Sequence, residues 1–105
     1  MASGYRIPEG EVDLVAWDGD QLVFVEVKSR HSDAPPEDAV GLRKQQRVIR
    51  AAHSYIARYR HHDRSYRFDI LAITTLPGRE PIYRLLRDAF REPQGPPLSR
   101  FKPPA

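Results

Sequence analysis

Three charged residues interrupt two apolar runs near the start of the chain. Asp13 lies within the apolar run 12–15, and Glu26 and Lys28 follow the apolar run 22–25. Burial of a charge costs several kcal/mol unless the charge is paired or bound to a metal. Two acids and a lysine on adjacent strands are the arrangement that a metal-dependent phosphodiesterase needs. The spacing therefore indicates phosphodiester hydrolysis as a candidate chemistry.

The turn between the two predicted strands decides whether these charges share a face. The Asp-Gly pair at residues 18–19 is a strong hairpin signal, and side chains alternate between faces along each strand. A loop of residues 18–19 would pair Glu11 with Glu26. A loop of residues 19–20 would pair Asp13 with Glu26 instead. Either loop places four charged residues on one face: Glu11, Asp13, Glu26 and Lys28. A three-residue loop would separate Asp13 from Glu26.

Three carboxylates on one face repel one another unless a cation lies among them. The chain has no cysteine, and oxygen ligands without thiolates favour Mg²⁺ or Mn²⁺. Such a metal activates water and stabilises charge at a phosphate, and Lys28 could assist the water or the developing charge. The alternative is a solvent-facing hairpin, in which Glu26 and Lys28 form an exposed ion pair worth about 0–1 kcal/mol.

Apolar periodicity and turn residues predict the elements that carry these charges. A helix is expected from Leu42 to about His61, with four residues facing the core: Val48, Ala52, Tyr55 and Tyr59. Strands are expected at 5–7, 11–17, 21–29, 66–74 and 81–86, with a loop at 30–36 and a closing turn at 87–90. Their order predicts a mixed α/β sheet covered by the helix. Asp69 lies inside a strand predicted to be buried on both faces. It is expected to pair with an arginine in a structural role, and support of the site is the alternative.

The whole chain limits the class of protein. A chain of 105 residues predicts one domain, taken as 1–91, followed by a Pro-rich disordered tail at 92–105. No stretch approaches the roughly 20 apolar residues of a membrane span, and the start has no signal-peptide pattern, so a cytoplasmic location is expected. Residues 1–38 carry a net charge of −6 and residues 39–105 a net charge of +9. The first part could hold a cation and the second a polyanion, or both could be solvated surface.

Basic residues on the predicted helix form a candidate phosphate-binding face. Five residues are expected to contact nucleic acid, and DNA is the expected partner: Arg30, Arg43, Lys44, Arg47 and Arg50. Phosphate contacts supply most non-specific affinity for nucleic acids. Gln45 and Gln46 are supporting candidates that could reach the site or the sugar-phosphate edge. A solvated helix face is the alternative.

Several segments together resemble the YraN-like family of uncharacterised bacterial proteins. The specific part is Gly-Glu-Val-Asp-Leu-Val at 10–15 with Val-Phe-Val-Glu-Val-Lys-Ser-Arg at 23–30. Supporting matches lie at 43–47, 51–52, 67–70 and 88–90. The resemblance covers about residues 4 to 90. The family is similar to the PD-(D/E)XK, restriction-endonuclease-like superfamily, near the Holliday-junction resolvases.

That resemblance implies a mixed sheet flanked by helices and assigns roles to three residues. Asp13 would be the motif aspartate, Glu26 the motif acid and Lys28 the motif lysine, with Val12 in place of the motif proline. It implies Mg²⁺ or Mn²⁺ bound by Asp13, Glu26 and the backbone carbonyl of Val27. The implied function is nucleic-acid binding by a nuclease-like fold, with metal-dependent hydrolysis of DNA. The alternative is a non-catalytic module of the same fold that binds nucleic acid or protein.

The chain departs from the family pattern at its start. Family members usually begin with a helix containing Gly-x-x-Gly-Glu, ahead of a Gly-Tyr-Arg-Ile segment. Here that segment is residues 4–7, so the N-terminal helix of the family is expected to be absent. The glutamate of that helix often completes the metal site in resolvase-like nucleases. Glu11 could substitute for it, or a partner chain, as in a homodimer, could cover the exposed face.

Overall fold

The computed structural model describes residues 2–31 and 41–92. Within these ranges the chain forms five strands and one helix in the following order: β1 (Ala2–Ile7), β2 (Gly10–Asp18), β3 (Gln21–Arg30), α1 (Leu42–Arg58), β4 (Tyr66–Thr74) and β5 (Ile82–Phe90). The strands form one sheet in the order β1-β2-β3-β4-β5, in which β3 and β4 are parallel and the other neighbours antiparallel. A parallel pair needs a long crossover, and α1 lies within it. The predicted mixed α/β sheet with a packed helix is confirmed, and it is consistent with a restriction-endonuclease-like fold.

The β2–β3 hairpin has the second of the two predicted loops. Asp18 pairs with Gln21, which leaves Gly19 and Asp20 as the loop, and Gly19 has a φ of +60°. A residue without a Cβ adopts this left-handed conformation at little cost. The regular pairing of β2 with β3 reaches Leu14 and Val25, the residues next to the two motif acids. The hairpin thus brings Asp13 and Glu26 near each other on neighbouring strands.

Three predicted boundaries differ from the structure: the start of β1, at Ala2 instead of residue 5, and the ends of β5 and α1. The last two errors have a local cause. The closing turn at 87–90 is instead the end of β5, which resumes after a bulge and stacks Phe90 on Phe68 with ring centroids 5.0 Å apart. The helix ends at Arg58 rather than near His61 because Arg60 has a φ of +60°. Tyr59 is therefore the C-terminal cap, and it is 47% exposed instead of facing the core.

The core lies between α1 and the face of the sheet that the helix covers. Leu22 and Phe24 of β3 pack against Val48 and Ala52 of α1, and all four are fully buried. Burial of such apolar side chains is the main force that fixes the helix on the sheet, at about 1.5–3 kcal/mol for each large one.

A glycine sets how closely the helix approaches β2. A Cβ added to Gly10 would lie 1.9 Å from the backbone oxygen of Arg47, so only glycine fits at this crossing. The contact holds the first turns of α1 against the strand that carries Asp13.

Residues 32–40 and 93–105 lie outside the described residues. The predicted loop at 30–36 and the predicted disordered tail, apart from their described ends, therefore stay predictions, as does the domain boundary at residue 91. The helix in the described part of the chain is neither long enough nor apolar enough to cross a membrane.

Candidate functional site

Asp13 lies where β2 departs from regular alternation. Val12 and Val15 both belong to the core, although residues three apart in a regular strand point to opposite faces. Gly4, at the facing position of β1, has a φ of +74°. This irregular segment allows the carboxylate of Asp13 to turn toward β3, where Oδ2 accepts a hydrogen bond of 2.8 Å from the backbone amide of Val27. Asp13 is therefore held in place by the strand that carries Glu26.

Glu26 is a buried acid whose carboxylate oxygens accept no hydrogen bond. Its exposed fraction is 2%, and neither Oε1 nor Oε2 has a hydrogen-bond donor in suitable geometry. The nearest cation is Lys44 of α1, whose Nζ lies 3.2 Å from Oε2 and forms an ion pair with it. Most buried carboxylates in proteins are fully hydrogen-bonded, so this one needs a further explanation.

The two acids shift each other's protonation in opposite directions. Burial, followed by the adjacent carboxylate of Asp13, raises the pKa of Glu26 to about 7. Burial alone would also raise the pKa of Asp13, but the adjacent carboxyl group of Glu26, the amide of Val27 and the charge of Lys44 lower it overall. The pair of carboxyl groups therefore binds a proton at a higher pH than an isolated carboxylate does.

Glu11 does not complete a three-acid site. Its carboxylate is bound by Arg6 at 2.8 Å and approached by Lys44 at 3.7 Å, and the hydrogen bond and charge of Arg6 lower its pKa. Among the residues that the structure describes, no three acids or histidines converge closely enough to hold a metal ion. The sharing of one face by Glu11, Asp13 and Glu26 therefore does not bring all three together.

Asp13 and Glu26 nevertheless fit a hard divalent cation. Mg²⁺ is commonly held by one or two carboxylates and keeps several water ligands. The two unsatisfied oxygens of Glu26 are available donors of the required type. Val27 donates its amide toward Asp13, and in a regular strand the carbonyl of the same residue points to the same neighbouring strand. The predicted ligands thus lie on one side of β3.

Lys28 lies two residues beyond Glu26 on β3 and is exposed. Within residues 2–31 and 41–92, no side chain forms an ion pair or hydrogen bond with it. Its ammonium group is therefore available to a phosphate at the site.

The predicted nucleic-acid contacts lie in different environments. Arg43, Gln46 and Arg50 of α1 are exposed, whereas Gln45 and Arg47 are half-buried. Arg30 is half-buried at the end of β3. Lys44, predicted as a phosphate contact, instead faces the acids.

The contact between Lys44 and the acids has a signal in the sequence that the prediction missed. The first turn of α1 contains Arg43 and Lys44 and no acid. Cations at a helix N-terminus are disfavoured by the helix dipole, so an acidic partner is expected nearby.

A cavity of about 510 Å³ lies elsewhere, near the first residues of β3 and β4. The three arginines that line it are already ion-paired: Arg67 with Asp69 and Asp18, Arg87 also with Asp18, and Arg91 with Asp88. Because acids of this region neutralise these arginines, the cavity is a weaker candidate site than the Asp13–Glu26 pair.

The sequence matches a family along most of its length. The family described as uncharacterised protein family UPF0102 matches residues 1–73. The chain belongs to this family. A UPF0102 protein of Rhizobium johnstonii is 44% identical over 98 residues, covering 86% of this chain and 77% of the relative. A UPF0102 protein of Syntrophus aciditrophicus is 41% identical over 92 residues, covering 86% and 72%.

UPF0102 is the YraN family, and it is a PD-(D/E)XK nuclease-like one. The resemblance expected from the segments around Asp13 and Glu26 is therefore confirmed. These UPF0102 relatives are not named for an activity, so membership establishes the family but not the reaction.

Proposed function

We propose that this UPF0102 protein is a metal-dependent endonuclease that hydrolyses DNA phosphodiester bonds, with Asp13 and Glu26 as ligands of Mg²⁺ or Mn²⁺. The observation that supports this most is Glu26, which is buried beside a second carboxylate while both of its oxygens lack hydrogen bonds. The ion pair with Lys44 offsets the cost of burying this carboxylate only in part, and coordination to a metal ion would offset more of it.

The residues of the site would divide the work between binding and charge stabilisation. The bound metal would supply Lewis-acid activation of water and of the phosphate. Asp13 is oriented by the amide of Val27, and Glu26 is oriented by the packing around it, so neither ligand needs to reorganise. The exposed ammonium of Lys28 would donate to a phosphate oxygen as negative charge develops there. Arg43 and Arg50, exposed on α1, would contact neighbouring phosphates.

The test is cleavage of duplex, single-stranded and branched DNA by the purified protein with Mg²⁺ or Mn²⁺. We expect Asp13→Asn, Glu26→Gln and Lys28→Ala each to lower the rate by about 100-fold or more. Glu80→Gln is the matched control, because Glu80 is exposed between β4 and β5 and receives the same chemical change. Absence of cutting by the wild type, or equal cutting by these variants, would overturn the proposal.

The ion pair between Lys44 and Glu26 favours a second candidate, a nucleic-acid-binding module without catalysis. In that case Lys44 would permanently replace the metal as the counter-ion of Glu26. Lys44→Met separates the two candidates. If a metal displaces Lys44, the variant should bind Mn²⁺ several-fold more tightly than the wild type. If Lys44 is the permanent counter-ion, the wild type should not bind Mn²⁺ at this site, even if the variant, which lacks that counter-ion, does.

A further inference from the structure

Four aromatic rings, two exposed and two half-buried, cluster at the C-terminal end of α1, at the opposite end of the helix from Lys44. We call this cluster the aromatic platform; it consists of Trp17, Tyr55, Tyr59 and His61. The ring centroids of Trp17 and His61 are 5.0 Å apart, those of His61 and Tyr55 are 6.3 Å apart, and those of Tyr55 and Tyr59 are 4.6 Å apart. Trp17 is 43% exposed and Tyr59 is 47% exposed. The four rings form a continuous row that leaves large aromatic surfaces in contact with water.

Arginines surround the aromatic platform. The Cζ atom of Arg64 lies 5.9 Å from the ring centroid of Trp17, and that of Arg58 lies 5.6 Å from the ring centroid of Tyr59. The acids nearest to Arg64 are exposed and 3.7 Å and 3.9 Å away, so they neutralise it weakly. Arg58 and Arg60 form no ion pair with any residue that the structure describes. Positive charge therefore accompanies the exposed rings.

Arg60 adopts a backbone conformation that usually belongs to glycine. The amide of His61 donates to the carbonyl of Ile56 at 2.9 Å, and the amide of Arg60 donates to the carbonyl of Ala57 at 3.4 Å. These two bonds form the common helix ending in which the residue at the Arg60 position is left-handed and most often glycine. Arginine is strained there, with a φ of +60°. Arg60 directly follows Tyr59 in the chain, and a non-glycine residue held in this conformation is a candidate for a functional role.

We propose that the aromatic platform binds an unpaired strand of nucleic acid, with bases stacked on Trp17 and Tyr59 and phosphates at Arg58, Arg60 and Arg64. Stacking on aromatic rings combined with backbone contacts to cations is how proteins bind single strands. Charge complementarity favours a polyanion over an uncharged partner on this surface.

This inference rests on the nucleic-acid binding of the proposed function and specifies the form of the nucleic acid. From Lys44 to Tyr59 the helix spans about 22 Å. That length corresponds to roughly six stacked nucleotides at about 3.4 Å each. An unpaired strand would thus be bound about six nucleotides away from the phosphodiester bond that would be cleaved at Asp13 and Glu26.

The first experiment uses the fluorescence of Trp17, the only tryptophan in the chain. The full-length protein is titrated with oligodeoxythymidine and with a duplex of the same length, in EDTA to prevent cleavage. We expect the single strand to quench Trp17 and to bind more tightly than the duplex. Tyr59→Ala should weaken single-strand binding by about tenfold, since stacking contributes about 1–3 kcal/mol per base, whereas Tyr59→Phe should bind like the wild type.

The second experiment separates binding from folding. Arg60→Gly should raise the melting temperature by a few degrees, since glycine relieves the strain at this position. The same variant should weaken binding to oligodeoxythymidine and reduce the slope of log affinity against log salt by about 0.7. Arg84→Ala, on exposed β5, loses the same charge and should leave binding unchanged.

The outcomes are distinguishable. Equal affinity for single strand and duplex, with Tyr59→Ala and Arg60→Gly binding like the wild type, would overturn this inference and leave the proposed function intact. Failure to bind either nucleic acid would overturn this inference, whereas the proposed function is decided separately by the cleavage assay with Mg²⁺ or Mn²⁺. Duplex binding that depends on Arg43 and Arg50 but not on Tyr59 would assign nucleic-acid contact to the other end of the helix and would also overturn the inference.

Discussion

Glu26 and Asp69 are both buried acids on the two central parallel strands, and they differ in how they are satisfied. Asp69 is 1% exposed; its carboxylate accepts hydrogen bonds from Arg67 at 3.1 Å and from the backbone amide of Asp88 at 2.8 Å. Glu26 is 2% exposed, accepts no hydrogen bond and has Lys44 as an ion-pair partner. The two acids are therefore equally buried, but the carboxylate of Asp69 is hydrogen-bonded and that of Glu26 is not.

The difference separates a structural acid from a candidate ligand. Asp69 lies opposite the bulge of β5, where Asp88 has a φ of +52°, and its contacts stabilise that bulge. Glu26 accepts no hydrogen bond, and its only charged partner is Lys44 among the described residues, which makes it the candidate metal ligand of the two acids. Burial alone would not have distinguished the two residues.

The largest effect is expected from removing the structural acid. Asp69→Ala removes the ion-pair partner of the largely buried Arg67 and the hydrogen-bond acceptor of the Asp88 amide. The free energy of unfolding should therefore fall by about 3–5 kcal/mol. Glu26→Gln, which removes a poorly satisfied charge, should leave the free energy of unfolding unchanged or increase it. Urea unfolding at pH 8 in EDTA measures both. Equal destabilisation by the two changes would contradict the comparison.

The next effect is a pH dependence of stability that Glu26 should cause. Its pKa is raised from 4.5 to about 7 in the folded protein, so between these values the folded state binds more protons than the unfolded state. Stability is therefore expected to fall as the pH rises from about 4.5 to 7, by roughly 2–3 kcal/mol for the metal-free protein.

Glu26→Gln is the control for that pH dependence, because glutamine does not titrate. The difference in free energy of unfolding between wild type and variant should grow from pH 4.5 to 7 and level off above it. A difference that stays constant with pH would show that the environment of Glu26 does not disfavour its charge.

A smaller effect should follow from moving the helix away from Glu26. Gly10→Ala places a Cβ against the backbone of Arg47, and the resulting overpacking should cost about 1–3 kcal/mol. The same change should loosen Lys44 from Glu26 and leave the contacts of Asp69 intact. Urea unfolding measures the loss of stability. The pH dependence of stability, measured again in the Gly10→Ala variant, reports whether Lys44 has moved away from Glu26. An unchanged stability would refute the close crossing of helix and strand.

Much of the fold could be predicted from the sequence, because its signals are local. Asp-Gly predicts the hairpin, helical periodicity starts α1 at Leu42, and the apolar run at 66–74 coincides with β4. The end of α1 and the bulge of β5 could not be predicted, since both depend on left-handed backbone at residues that rarely adopt it, Arg60 and Asp88.

The site was predictable only in part. The family resemblance gave roles to Asp13 and Glu26, and the β2–β3 hairpin places the two residues on neighbouring strands. The contact of Lys44 with Glu26 depends on how the helix crosses the sheet, a tertiary feature fixed by Gly10. The separation of Glu11 from the acid pair depends on the competing arginine, Arg6.

The binding of Mn²⁺, measured by calorimetric titration of the purified protein at pH 8, tests the central claim most directly. We predict that the wild type binds Mn²⁺ at this site and that Glu26→Gln and Asp13→Asn each weaken binding by more than about tenfold. Glu80→Gln should bind like the wild type. No binding by the wild type, or equal binding by all four proteins, would contradict the assignment of Asp13 and Glu26 as metal ligands.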